Sequence, residues 1–189
     1  MFENFREDWR TYEGNLSCPG LWVMAVYRFG QWRYTIRRRW VRIGFSFAYK
    51  VLFVLVRAAS GAEIPCETRI GRRLRLDHSY GIVVSGDACL GDDVILRDGV
   101  TIGLRRVGVR GSPVIGHRCD IGTGAKILGT IHIGNDVAIG ANAVVLTDVP
   151  DNSIAVGIPA RIVPRKTTGP RETGVSRETE WATPEHTFS

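Results

Sequence analysis

Ile115, Ile121, Ile127, Ile133, Ile139 and Val145 follow one another at intervals of six, and Gly116, Gly122, Gly134 and Gly140 come directly after four of them. A helix repeats near 3.6 residues and a strand near 2, so a sustained period of six marks a solenoid of stacked rungs. Upstream, Ile64, Ile70, Leu76 and Ile82 keep the same step. The count slips by two before Leu90, resumes through Leu96 and Ile102, and is broken again by the arginine-rich segment 104–113. Such breaks read as loops extruded from one edge of the solenoid, where functional groups are often carried. Ordinary strand–turn alternation does not account for six consecutive positions in phase.

Each hexapeptide reads as a very short strand with its aliphatic residue inward and a small residue near the corner. Gly116, Gly122 and Gly140 are expected to take backbone angles denied to other residues. Ala125, Ala143 and Cys119, four places after an inward aliphatic, are expected where bulk would clash. Three strands close a triangular turn of about 18 residues. Residues 64–156 then give roughly five turns, rising about 24 Å at about 4.8 Å per strand. Stacked turns place aliphatic over aliphatic and make untwisted parallel strands tenable. The predicted class is mainly β: a parallel β-helix with a short N-terminal α-helical segment.

Three sections follow: a helical segment over 1–61, the β-helix over 62–164, and a polar tail over 165–189 expected to be disordered. Residues 1–60 hold ten Lys/Arg against four Asp/Glu and so carry the entire net charge of +6. Leu21, Met24, Ala25, Arg28 and Trp32 predict one helix after Pro19-Gly20, and 45–56 a second, ending near Gly61. An open solenoid end needs a cover, which these helices would supply. The apolar run Val51 to Val56, flanked by Lys50 and Arg57, is short for crossing a bilayer. Glu3, Glu7 and Asp8 stand where a secretory signal would be basic. Arg33, Arg37, Arg38, Arg39 and Arg42 read as solvated charge at a helix C-terminus. A surface for anionic lipid or nucleic acid is the sharper alternative; the lipid version is not favoured and nucleic acid is not expected. Cys18, Cys66, Cys89 and Cys119 show neither Cys-x-x-Cys spacing nor matching histidines, as expected for reduced thiols of a cytoplasmic protein without a metal site.

Certain blocks resemble serine acetyltransferases: Glu63-Ile64-Pro65, Ile70-Gly71, Leu76-Asp77-His78, Gly81-Ile82-Val83-Val84 and Val100-Thr101-Ile102-Gly103. The stretch Ala155-Val156-Gly157-Ile158-Pro159-Ala160-Arg161-Ile162-Val163 is similar to the closing segment of hexapeptide-repeat acetyltransferases in general. The segment from Gly20-Leu21 to Trp32 is similar to that family's last helical region. The resemblance spans roughly residues 20–164. It implies a left-handed β-helix, a homotrimer (a hexamer being the alternative), acetyl-CoA as donor and a hydroxyl acceptor, L-serine or a serine-like amino acid.

The resemblance also assigns roles. His78 is the general base, because a hydroxyl attacks a thioester poorly unless its proton leaves in the transition state. Glu63, where the family usually has Asp, orients the imidazole. Asp77 stands where it could contact the acceptor amine; because the family's own carboxylate-holding pair is replaced here, a carboxylate clamp would have to come from Arg105, Arg106 or Arg110. Gly103, Ala125, Gly140 and Ala141 are the candidates for pantetheine contact, Gly103 also for an oxyanion donor. Arg161 and Lys166 are candidates for the CoA phosphates. His117, His132 and His186 are expected to be structural or solvated.

Departures matter too. The family's Arg-His pair before the proline that re-enters the solenoid is Gly111 and Ser112 here, which leaves a sugar or a specialised metabolite as the alternative acceptor. The helical segment is short for a dimer of trimers. The chain ends in Phe188-Ser189 where the family's cysteine synthase partner reads a terminal isoleucine, so that partnership is not expected. A zinc carbonic anhydrase on the same prism would need a close histidine pair, which is lacking. A non-catalytic trimeric scaffold with a basic, membrane-facing helical surface is the reading from another class.

Overall fold

A computed structural model of the chain describes residues 2–106, 108 and 111–165. Arg110, Lys166 and the rest of the polar tail beyond Arg165 lie outside the described residues. Three helices open the chain: α1 (Phe2–Thr11), α2 (Pro19–Trp32) and α3 (Arg39–Ser60), with a 3-10 turn at Arg33–Thr35. Pro19 begins α2, where its missing N–H costs nothing. Gly61, at φ 63°, ends α3 in the left-handed conformation that glycine adopts freely.

The strands are two to four residues long. The first turn holds β1 (Arg69–Ile70) and β2 (Arg75–Asp77); the second β3 (Val83–Val84), β4 (Cys89–Leu90) and β5 (Ile95–Arg97). The third holds β6 (Thr101–Gly103), β7 (Val114–Ile115) and β8 (Asp120–Ile121), and the fourth β9 (Lys126–Leu128), β10 (His132–Ile133) and β11 (Ala138–Ile139). In the fifth, β12 (Val144–Val145) and β13 (Ser153–Val156) are followed by β14 (Arg161–Pro164), which folds back antiparallel on β13. Three flat faces result: β1-β4-β7-β10, then β2-β5-β8-β11-β13-β14, then β3-β6-β9-β12. The solenoid is a left-handed parallel β-helix.

Register explains the six-residue period. Ile70, Leu90, Ile115 and Ile133 stack in one column, and Leu76, Leu96, Ile121 and Ile139 in the next. Val84, Ile102, Ile127 and Val145 form the third. All are buried, so the interior is a dry aliphatic prism. Ala125, Ala143 and Cys119 are fully buried, as expected, though the equivalent positions of other rungs accept Val94, Val100 and Val137.

Arg33, expected to be solvated, is buried and donates to Gly30 O at 3.1 Å, and the structure corrects the sequence reading at four further points. The two-residue slip falls between Leu76 and Val84, not between Ile82 and Leu90: Val84 pairs with Ile102, while Ile82 occupies the buried corner position that Val100 holds one turn on. Gly116, Gly122 and Gly140 do not have positive φ. They are small because the next rung lies against them; a Cβ on Gly116 would sit 2.8 Å from the Gly134 carbonyl. α1 was not foreseen. Finally, α3 begins at Arg39 rather than Phe45, which puts Arg39 and Arg42 in its first turn instead of at a helix C-terminus and makes it 22 residues long. By length and composition α3 is able to cross a membrane, unlike the short apolar run within it.

The helices do cap the open end. Tyr27 donates its hydroxyl to Thr68 O (2.8 Å) and accepts from Ile70 N (3.2 Å), while Arg28 donates to Gly71 O at 2.8 Å. Tyr12 on the turn after α1 accepts from Leu76 N at 2.9 Å. Main-chain groups of the first turn, which have no rung beneath them, are thereby satisfied. Asp8 of α1 forms a buried ion pair with Arg28 (2.8 Å), and both side chains are at most 3 % exposed. Helices and solenoid share one hydrophobic core.

Candidate active site

Corners of the prism repeat as strictly as its faces. Between the second and third faces, Gly81, Gly99, Gly124 and Asn142 all take positive φ and stack above one another. The two extra residues of the slip are inserted at the bottom of this edge. His78 sits in them at φ 53°, a region that non-glycine residues enter at a cost of roughly 1–2 kcal/mol. The main chain doubles back on itself there, with Tyr80 N donating to His78 O at 2.7 Å. The imidazole is thereby exposed at the prism edge instead of being aligned in a rung.

Around His78 lies a cleft lined by Cys18, Pro19, Arg75, Asp77, Ser79 and Tyr80. Asp77 was predicted there. Arg75, Tyr80 and the start of α2 were not: nothing in local spacing signals that residues 18–19 fold against residues 75–80. Arg75 donates to Asp77 Oδ1 at 2.7 Å, and this hydrogen bond holds the guanidinium pKa above its ordinary value. The cleft therefore presents a carboxylate and a guanidinium together beside an imidazole, a pattern suited to a zwitterionic ligand. Ser79 is buried, and its hydroxyl has no hydrogen-bond partner among the described residues.

Glu63 is bridged to Val83 on the third face and its carboxylate pairs with Arg57 at the C-terminal end of α3, 3.2 Å away. No hydrogen bond joins it to His78 among the described residues. The remaining candidates divide between two edges of the prism. Ala125, Gly140 and Ala141 lie on the His78 edge, between β8 and β9 and between β11 and β12. Ala125 is fully buried, and Gly140 is closely covered by Val156. Gly103 ends β6 on the neighbouring edge, where exposed Arg105 and Arg106 follow it. Gly111 returns to the solenoid at φ 119°, and Ser112 donates to Ser85 Oγ at 2.9 Å. Arg161 lies on β14, five strands from β2 across the second face, roughly 24 Å. The described residues hold no cluster of His, Cys, Asp or Glu suited to a metal ion.

No protein-family model matches the chain. A Helicobacter pylori serine acetyltransferase is 39% identical over 153 residues, 80% of this chain and 85% of that protein. The Escherichia coli serine acetyltransferase is 38% identical over 149 residues, 78% of this chain and 52% of that protein. Among solved structures, Brucella abortus serine acetyltransferase superposes with a TM-score of 0.74 at 29% identity, covering 87% of this chain and 69% of that one. The same enzyme in complex with coenzyme A gives 0.73 at 29% identity, with 87% and 68% covered. With its solenoid, its helical cap and most of the length of the Helicobacter protein matched, the chain belongs to the serine acetyltransferase family.

Proposed function

We propose that the chain is an acetyl-CoA-dependent O-acetyltransferase acting on the hydroxyl of L-serine or a closely related amino acid, with His78 as general base. Its relatives are serine acetyltransferases, and one of them has been solved with coenzyme A bound. The observation that carries the catalytic reading is the exposed imidazole of His78, forced out of the rung by the two-residue insertion and flanked by Asp77 and Arg75. His78 takes the hydroxyl proton as the oxygen attacks the thioester carbonyl. A C–O bond forms, the C–S bond then breaks, and the imidazolium returns the proton to the departing thiolate. Glu63 orients the imidazole after exchanging Arg57 for His78, a swap between half-exposed or exposed partners that costs under about 1 kcal/mol.

We infer a homotrimer from the division of candidates between two edges. If the His78 edge of one copy faces the edge bearing Gly103, Arg105 and Arg106 of the next, three-fold closure completes three equivalent clefts. Arg110 and Lys166 would join the acceptor clamp and the CoA phosphate contacts, with Arg161 at the phosphate end. Free cysteines among the described residues accord with a cytoplasmic setting. A sugar or specialised-metabolite hydroxyl is the second reading, favoured by Gly111 and Ser112 standing where an Arg-His pair is expected.

The test is thiol release from acetyl-CoA against serine, homoserine, threonine and sugar acceptors. His78→Ala is expected to lower kcat by at least about 10²-fold; full activity in that variant would refute the assignment. Asp77→Asn is expected to raise KM for an amino-acid acceptor, with little effect for one lacking an amine. Sedimentation of the purified protein as a monomer would sink the trimer.

A further inference from the structure

We propose that α3 lies on an anionic lipid bilayer, its axis in the membrane plane and its outward face among the acyl chains. This is independent of the acetyl transfer argued above. The helix packs on the protein through one stripe, Phe45, Tyr49, Phe53, Val56 and Ser60, at spacings of four, four, three and four. The opposite side is apolar and bare: Trp40 is 85% exposed, Phe47 71%, Val54 62% and Leu55 59%. Only 11% of the most apolar stretch of the helix is buried.

Charge selects the occupant. α3 carries no Asp or Glu. At 100° per residue, Arg39, Lys50 and Arg57 fall along one of the two borders between the buried stripe and the apolar face, at the height where headgroups would lie. Arg37, Arg38 and Arg42 add to the cationic N-terminal end of the helix, and Trp40 beside them suits the interfacial level. The whole +6 of the chain belongs to this helical segment. A second copy is a poor match for the same face. Two α3 helices packed antiparallel about a two-fold axis would bring the cations of both to the same border, with no carboxylate on either helix to neutralise them. A membrane-spanning pose is also disfavoured, because Tyr49 is buried and accepts a hydrogen bond from Cys66 N at 3.2 Å, which withdrawal of the helix would break. A groove between α2 and α3, lined by Leu16, Trp22, Leu55 and Ala59, continues the apolar surface.

The experiment is flotation of the full chain with vesicles of phosphatidylcholine alone and with vesicles containing one part phosphatidylglycerol to two of phosphatidylcholine. The parent protein is expected to float with the anionic vesicles and to be released as salt rises. Replacing Arg37, Arg38 and Arg39 by glutamine should weaken partitioning about a hundredfold, from the contribution of each basic residue near an anionic surface. The pair Phe47→Ser and Val54→Ser should abolish flotation. Both variants should keep acetyl transfer in lipid-free buffer, reporting an intact fold. Three results would overturn the proposal: parent protein left at the bottom of the gradient with anionic vesicles; flotation indifferent to both sets of substitutions; or, in lipid-free buffer, a doubling of the parent's mass that the Phe47/Val54 pair reverses, which would make a second copy the occupant.

Discussion

Alanine at Gly122 would place a methyl group 2.6 Å from Ala141 N and 2.8 Å from both Gly140 C and Ile139 O. All three are main-chain atoms of the next rung, so no side chain can swing aside. Relieving the contacts to an ordinary van der Waals distance means lifting that corner by roughly 0.6–0.8 Å. Gly122 N donates to Ile139 O at 2.8 Å and Asn142 N to Thr123 O at 2.7 Å; the same lift stretches both towards about 3.4 Å, where such bonds fade. Overpacking costs about 1–3 kcal/mol, and two weakened bonds add about 1 kcal/mol. Because φ at Gly122 is not positive, alanine also recovers about 0.4–1 kcal/mol through the unfolded chain. The net expectation is a loss of about 1–3.5 kcal/mol, a fall in Tm of roughly 2–14 °C for a chain of this size. Gly44→Ala is the control. A Cβ there meets nothing within 4 Å in the interior of α3, so it should gain about 0.5–1 kcal/mol. Thermal and urea unfolding followed by circular dichroism at fixed protein concentration would measure both. A Gly122→Ala protein that melts with or above the parent would refute the close-approach account of these glycines.

Further outcomes are expected elsewhere. Tyr12→Phe removes the acceptor of Leu76 N and the donor to Leu74 O, stranding main-chain groups of the first turn; a loss of about 1–3 kcal/mol in urea unfolding is expected. Arg28→Met leaves the Asp8 carboxyl buried without its counter-ion, at a cost of about 3–5 kcal/mol, and adding Asp8→Asn should restore much of it, which a double-mutant cycle would read. Arg73, through its hydrogen bonds, holds the Asp93 carboxyl below its usual pKa. Its folded value thus lies below its unfolded one, so this pair's contribution is present above about pH 4 and lost as pH falls through the carboxylate range. With both side chains about 40% exposed that contribution is at most about 1 kcal/mol, and the Tm difference between the parent and Asp93→Asn should shift steadily against the parent as pH falls below about 4.

The prism was legible because each inward aliphatic stacks on its counterpart a turn away, so one period in the chain is also one column in space. Ile115, Ile121 and Ile127 announce three columns without any long-range information. The position of the slip was less legible, since both Ile82 and Val84 are aliphatic and buried; only pairing of Val84 with Ile102 decides between them. Of the site, His78 and Asp77 were readable from their block, whereas Arg75 and the start of α2 join it through tertiary contact alone. Arg57 was missed as the partner of Glu63 for the same reason. The true length of α3 was hidden because Trp40, Val41 and Ile43 are interleaved with arginines and do not extend the apolar run. The backbone of Gly116, Gly122 and Gly140 was not legible, for want of a second observation. A small residue after an inward aliphatic signals either an unusual backbone angle or a near neighbour, and sequence alone does not separate the two.

The insertion at His78 divides the molecule into parts with different tolerances. A residue within a rung is templated from above and below, so altering it disturbs two neighbours at once. His78 and Ser79 stand outside that templating, in a fold of chain that the columns beneath Val84 do not need. Under the proposed roles, the general base is thus a residue whose replacement leaves the aliphatic stack untouched. A solenoid of this kind is able to vary that exposed edge without unstacking its columns.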